Sequence, residues 1–96
     1  MIVGYLDDVT RAIHVGEESE AARRFNVAVR KVARRKLDLI GAAVEVRDLA
    51  VPPGNRLEQL RGDLAGFYSI RVNDQYRIIF KFETGNASDV QLIDYH

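Results

Sequence analysis

The hydrophobic period of this chain changes partway along, and few folds accommodate that change. As far as Ile40, apolar residues recur at helical spacing; from Tyr68 onward they recur at every second position. A period of 3.6 buries one stripe of a helix, and a period of 2 buries one face of a strand, so the order here is helices first, then sheet. Between the two regimes lies Val51-Pro52-Pro53-Gly54-Asn55. Proline presets φ for a turn and glycine supplies positive φ, which makes this stretch a hinge.

Upstream of the hinge, Ile2 to Tyr5 is short and apolar and is expected to form a strand. Residues 7–15 read as a short helix with acids in its first turn and Gly16 as its stop. Residues 19–42 read as one main helix starting at Ser19, with Phe25, Ala28, Val29, Val32, Ala33, Leu37 and Ile40 on its apolar face. A further turn of helix is expected at 45–49. Downstream, residues 56–61 are expected to form a strand. Tyr68, Ile70 and Val72, then Tyr76, Ile78, Phe80 and Phe82, then Val90 and Leu92, mark three more, with turns at Asn73-Asp74 and Thr84-Gly85-Asn86. The expected architecture is α+β: an N-terminal strand and two helices packed on one face of an antiparallel sheet. Ninety-six residues without a linker or repeat form a single domain, 1–96. A core fits in a chain of this size, but a deep, enclosed site does not.

Cysteine is absent, which removes disulfides, thiolate catalysis and thiolate metal centres, and two histidines cannot build a three-histidine site. No Gly-rich phosphate loop, Ser-His-Asp order or metal-ligand spacing is present. His14 stands alone and reads as a surface or cap residue, and no pair of acids can be singled out as catalytic. No apolar run approaches 18 residues, and Met1 to Tyr5 lacks the basic flank of a signal peptide. A cytoplasmic protein with no membrane partner is expected. Its 14 basic and 14 acidic residues cancel, yet they are unevenly placed. Residues 21–36 hold Arg23, Arg24, Arg30, Lys31, Arg34, Arg35 and Lys36 with no acid among them. Such a run serves equally as a solvated helix face, a groove for an acidic partner or a nucleic-acid contact.

Side-chain parity bears on chemistry. If the two strands of the 68–82 hairpin present their apolar residues to the helix, three loop residues must join them, placing Val72 opposite Tyr76 and Ile70 opposite Ile78. Arg71 then falls directly across from Arg77, with Ser69 across from Ile79 and Lys81 continuing the stripe. Like charges placed opposite one another destabilise a sheet, whereas a bound phosphate makes two guanidiniums favourable. An open sheet face with cations and an aromatic, Tyr95, suits single-stranded RNA. It also suits plain solvation, since outward strand positions must be polar in any case. The run Asp94-Tyr95-His96 offers three groups able to orient or transfer protons.

The stretch Pro52-Pro53-Gly54-Asn55-Arg56-Leu57-Glu58-Gln59-Leu60-Arg61-Gly62-Asp63, then Tyr68-Ser69-Ile70-Arg71-Val72-Asn73-Asp74-Gln75-Tyr76-Arg77, then Asp94-Tyr95-His96, resembles the HigB branch of the RelE/ParE toxin superfamily. The likeness implies a RelE-like fold and the toxin of a type II toxin–antitoxin system. It further implies a ribosome-dependent mRNA endonuclease that works without a metal or other cofactor, through 2′-hydroxyl attack and a cyclic phosphate product. By the same resemblance, Arg61, Arg77, Asp94, Tyr95 and His96 are the expected catalytic residues. Arg77 would stabilise charge, Arg61 would keep a cation where many relatives have lysine, and His96 would act as acid or base. Arg56, Arg71, Asn73 and Lys81 are the expected RNA-binding residues. The expected partners are a HigA-like helix-turn-helix antitoxin, the ribosome and mRNA, with operator DNA reached only through the antitoxin. Two alternatives share the fold: a ParE-like toxin that poisons a protein such as DNA gyrase, and a subunit acting mainly as corepressor. The chain departs from some relatives in carrying Glu58 where they have histidine. Parity also sends Asp94 and His96 to the face opposite Arg77 and Tyr95.

Overall fold

A computed structural model describes residues 1–95; His96, expected to handle a proton, lies outside the described residues. Three α-helical segments come first: α1 (Asp8–Val15), α2 (Glu20–Arg23) and α3 (Val27–Ala42). Short 3₁₀ turns at Val46–Ala50 and Pro53–Asn55 lead into strands β1 (Glu58–Gln59), β2 (Tyr68–Arg71), β3 (Tyr76–Glu83) and β4 (Asn86–Asp94). The strands form one antiparallel sheet in the order β1-β2-β3-β4. This is the expected α+β architecture, with the helices on one face.

The local chemistry accounts for most boundaries. Asp7 caps α1 by accepting from the Thr10 N–H at 2.9 Å, and Gly16 closes it in the left-handed conformation at φ 77°. The expected single helix over 19–42 is instead two. Ser19 caps α2, and the chain turns at Arg24 and Phe25 before Asn26 caps α3, accepting from the Val29 N–H at 2.8 Å. Asparagine competes with the helical backbone for its own hydrogen bonds, and here that local capping outweighs an uninterrupted apolar stripe.

Two expected strands are shorter than the sequence suggests. The N-terminal segment makes only isolated parallel bridges to β4, Ile2 with Ala87 and Tyr5 with Val90. Between those bridges β4 bulges, with Asp89 at φ 50° and a register shift between Ile79 and Lys81, so the ladder cannot run on. Residues 56–61 supply only the two residues of β1, because Asn55 is drawn into the interior and Arg56 turns to φ 46°, ψ 55°.

The core lies between α1, α3 and the sheet: Ile13, Leu37, Ile40, Ile70, Ile78, Phe80 and Val90 are all fully buried. Thr10 ties α1 to the sheet by accepting from the Leu92 N–H at 3.0 Å. Phe25 meets the Tyr76 ring edge-on at 5.2 Å. Among the described residues no helix is long and apolar enough to cross a membrane.

Candidate RNA-binding cavity

The β2–β3 hairpin sets the geometry of the opposite face. Asn73 Oδ1 accepts from the N–H groups of Gln75 and Tyr76 at 2.9 and 2.7 Å, a side-chain-closed turn. The turn gives the register expected from parity, with Ile70 opposite Ile78, Arg71 opposite Arg77 and Ser69 opposite Ile79. What parity did not foresee is burial. Arg77, expected to face solvent, is only 7% exposed, because residues 56–59 lie across it.

Arg77 is held at several points. Its Nε donates to Ser69 Oγ at 2.9 Å, and its Nη2 donates to the Arg56 carbonyl at 2.6 Å and the Ser69 carbonyl at 3.4 Å. Glu58 Oε1 lies 3.9 Å from Nη2, and the Tyr95 ring sits under the guanidinium at 5.6 Å. Nη1, with two N–H groups, has no hydrogen-bond partner among the described residues. Burial pulls the Arg77 pKa below the usual arginine value, while Glu58 opposes the shift; the group stays charged at any physiological pH. Repulsion across the hairpin is relieved because Arg71 turns away to pair with Asp74 at the rim.

Arg56, Glu58, Arg71, Asn73, Asp74, Arg77 and Tyr95 enclose an open cavity of about 320 Å³. Three guanidiniums against two carboxylates give it a net charge of +1, around an anchored arginine and an aromatic ring. That combination is chemically suited to an anionic, base-bearing ligand. Its openness agrees with the size argument.

Of the nine expected site residues, the cavity gathers Arg56, Arg71, Asn73, Arg77 and Tyr95. It does not gather Arg61, Lys81 or Asp94. Arg61 is exposed ahead of the 3₁₀ turn Gly62–Leu64. Lys81 pairs with Asp89 at 3.5 Å and lies over the Phe67 ring at 5.2 Å. Asp94 accepts from Gln75 Nε2 at 3.0 Å on the side opposite Arg77, as parity demands of it. Glu58 and Asp74 line the cavity without having been expected there. A turn acid next to an expected RNA-binding asparagine was the available signal for Asp74. Among the described residues no cluster of three or more histidine or acidic side chains is placed to hold a metal ion.

The basic run is partly used by the fold. Arg23 and Arg30 approach Glu18 at 3.7 and 3.6 Å, Arg34 donates to the Ile13 carbonyl at 3.0 Å, and Lys36 is buried. Four of the seven, Arg23, Arg24, Lys31 and Arg35, stay exposed.

A small helices-on-sheet domain with a cationic cavity on its uncovered face defines the class: a RelE-like toxin fold. Solved structures with this arrangement include the toxin–antitoxin complex YoeB-YefM from Staphylococcus aureus. It matches with a TM-score of 0.65 and 17% identity, over 100% of this chain and 95% of that one. A YoeB/ParE toxin from Agrobacterium tumefaciens matches with a TM-score of 0.52 and 17% identity, over 99% and 98%. Residues 10–96 match the family described as the RelE-like toxin HigB of type II toxin–antitoxin systems, and the chain belongs to it. Toxin HigB-1 of Vibrio cholerae serotype O1 is 42% identical over 76 residues, 79% of this chain and 80% of that protein. An uncharacterized protein of Haemophilus influenzae is 47% identical over 62 residues, 65% and 61% of the two chains.

Proposed function

We propose that this toxin is an mRNA interferase, cutting messenger RNA on the translating ribosome by metal-independent transesterification, and that a cognate HigA-like antitoxin neutralises it in the cytoplasm. One observation carries the reading. An arginine tied down by three hydrogen bonds keeps one nitrogen unpartnered among the described residues, beside an aromatic ring and a carboxylate, in a cationic cavity.

In the reaction, a ribose 2′-oxygen bonds to the neighbouring phosphorus while the bond from phosphorus to the 5′-oxygen breaks. The products are a 2′,3′-cyclic phosphate and a 5′-hydroxyl. Glu58 accepts the 2′-hydroxyl proton, and Arg77 Nη1 meets the charge that grows on the phosphorane oxygens. Arg56 and Arg71 hold the flanking phosphates, and Tyr95 stacks on a base. His96, as the resemblance implies, returns a proton to the 5′-oxygen. Nothing in the scheme requires Asp94 to leave its observed contact; Arg61 and Lys81 would serve ribosomal or messenger RNA outside the cavity.

The test is to map transcript 5′ ends after a brief pulse of expression, with translation running and with it blocked. Cuts that vanish when translation stops are expected. Intact transcripts accompanied by a DNA-damage response would replace this reading with the gyrase-poison alternative.

A further inference from the structure

Lys36 is an unusual occupant of its position. It lies on the buried side of α3, next to the core residues Ala33, Leu37 and Ile40, and is 9% exposed. An ammonium withdrawn from water costs free energy unless hydrogen bonds replace its solvation, and an aliphatic side chain would fill the same space without that cost. What Lys36 gains is one specific contact, a hydrogen bond from Nζ to Asn55 Oδ1. Burial, with Arg35 and Arg71 adding, holds its pKa below the ordinary lysine value, which fits a group placed for its partner and not for solvent.

Asn55 is fully buried and is held on every side. Its Nδ2 donates to the carbonyls of Leu49 and Val51 at 3.1 and 3.3 Å, and its backbone N–H donates to the Pro52 carbonyl at 2.9 Å. The next residue, Arg56, sits at φ 46° and ψ 55°, a left-handed conformation that side chains other than glycine seldom adopt. Strain of that kind persists only where the surroundings over-determine it, and it gathers at functional sites. Here it aims the Arg56 carbonyl at Arg77 Nη2 and places the Arg56 side chain in the cavity wall.

We propose that Lys36 and Asn55 are positioning residues: together they hold Arg56 in the left-handed turn that seats Arg77. The assignment deepens the interferase reading, since it supplies the support that a charge-stabilising arginine needs. It does not depend on cleavage to be tested.

The experiment reads Arg77 itself. The Nε–H of Arg77, bonded to Ser69 Oγ, gives a slowly exchanging cross-peak in a ¹⁵N correlation spectrum, assignable by its loss in Arg77→Lys. Lys36→Met keeps the length but removes the donor. It is expected to speed exchange of that proton at least tenfold and to lower RNA cleavage by a further 10- to 100-fold. Lys36→Arg, which retains a donor, is expected to restore most of both. Ile40→Val on the same helix is expected to lower the melting temperature while leaving the cross-peak unchanged. Should Lys36→Met not fold, Lys36→Leu, which also lacks a donor, is read in the same way. An unchanged Arg77 signal in the folded lysine variant, or an equal change in Ile40→Val, overturns the proposal. A loosened Arg77 in a protein that never cuts RNA would uphold it and sink the nuclease reading instead.

Discussion

At Arg77 and Ile78, neighbours on β3, the two faces of the strand are buried to nearly the same degree by opposite means. On one face Ile78 and Phe80 are fully buried in the hydrophobic core beneath the helices. On the other, Arg77 is almost as inaccessible, yet its N–H groups find a hydroxyl and two carbonyls under a loop. The helix-covered face depends on volume and shape, which many aliphatic combinations satisfy. The loop-covered face depends on donors meeting acceptors, and one missing partner leaves a polar group stranded. Stability is concentrated on the first, and the proposed chemistry on the second.

The sharpest way to break that division is Phe80→Ala. Phe80 is wholly buried and contacts Tyr68 and Phe82, at centroid distances of 6.1 and 6.5 Å, so truncation leaves a cavity in the core. A loss of roughly 3–5 kcal/mol is expected in denaturant titration. Cleavage per folded molecule, measured well below the melting point, should barely change. A nuclease defect exceeding the loss of folded protein would mean the two faces are not separable.

Arg77→Ala probes the other side. The substitution removes the proposed charge stabiliser, so RNA cleavage is expected to fall by about 10²–10³-fold. It also leaves the Ser69 hydroxyl and the Arg56 carbonyl without their donor, which costs about 1–3 kcal/mol. The stability loss must therefore be smaller than that of Phe80→Ala, and the functional loss far larger. Full growth arrest by a folded Arg77→Ala variant would remove Arg77 from the chemistry.

The same contrast explains what could be read from the chain before its structure. Alternation in 68–82 and the three-residue turn at Asn73 were enough to pair Arg71 with Arg77 and to separate the core face from the polar one. Period 2 reports polarity and not depth, so it carried no sign that Arg77 would be roofed over. The roof is made by 56–59, where the chain follows no period; its path depends on a buried asparagine, Asn55, and a left-handed arginine, Arg56, that local propensity disfavours. The apolar stripe made 19–42 read as one helix; the division at Asn26 came to light with its side-chain cap on Val29. Glu58 stood out only through the resemblance, and its place in the cavity became visible with the short β1 strand.

The smallest effect distinguishes the loop side from the helix side by pH. Asp48 accepts from the N–H groups of Val44 and Glu45, each at 3.0 Å, and these backbone bonds, the largest cause, hold its pKa below the usual 3.8. A carboxylate with a depressed folded-state pKa contributes stability that is complete above its unfolded value and is lost as pH falls through the folded one. The contribution of Asp48 should therefore persist down to about pH 4 and disappear below it. The 3₁₀ turn Val46–Ala50 that it anchors presents the Leu49 carbonyl to Asn55, so the loss reaches the roof over Arg77 before it reaches the core. Amide exchange between pH 5 and 3 is the measurement. Amides of residues 44–56 are expected to lose protection first, ahead of Ile78 and Phe80, and Asp48→Asn should remove the pH dependence of that early step. If loop and strand amides opened together across the range, the two faces would be one cooperative unit, and the roof would have no independent freedom.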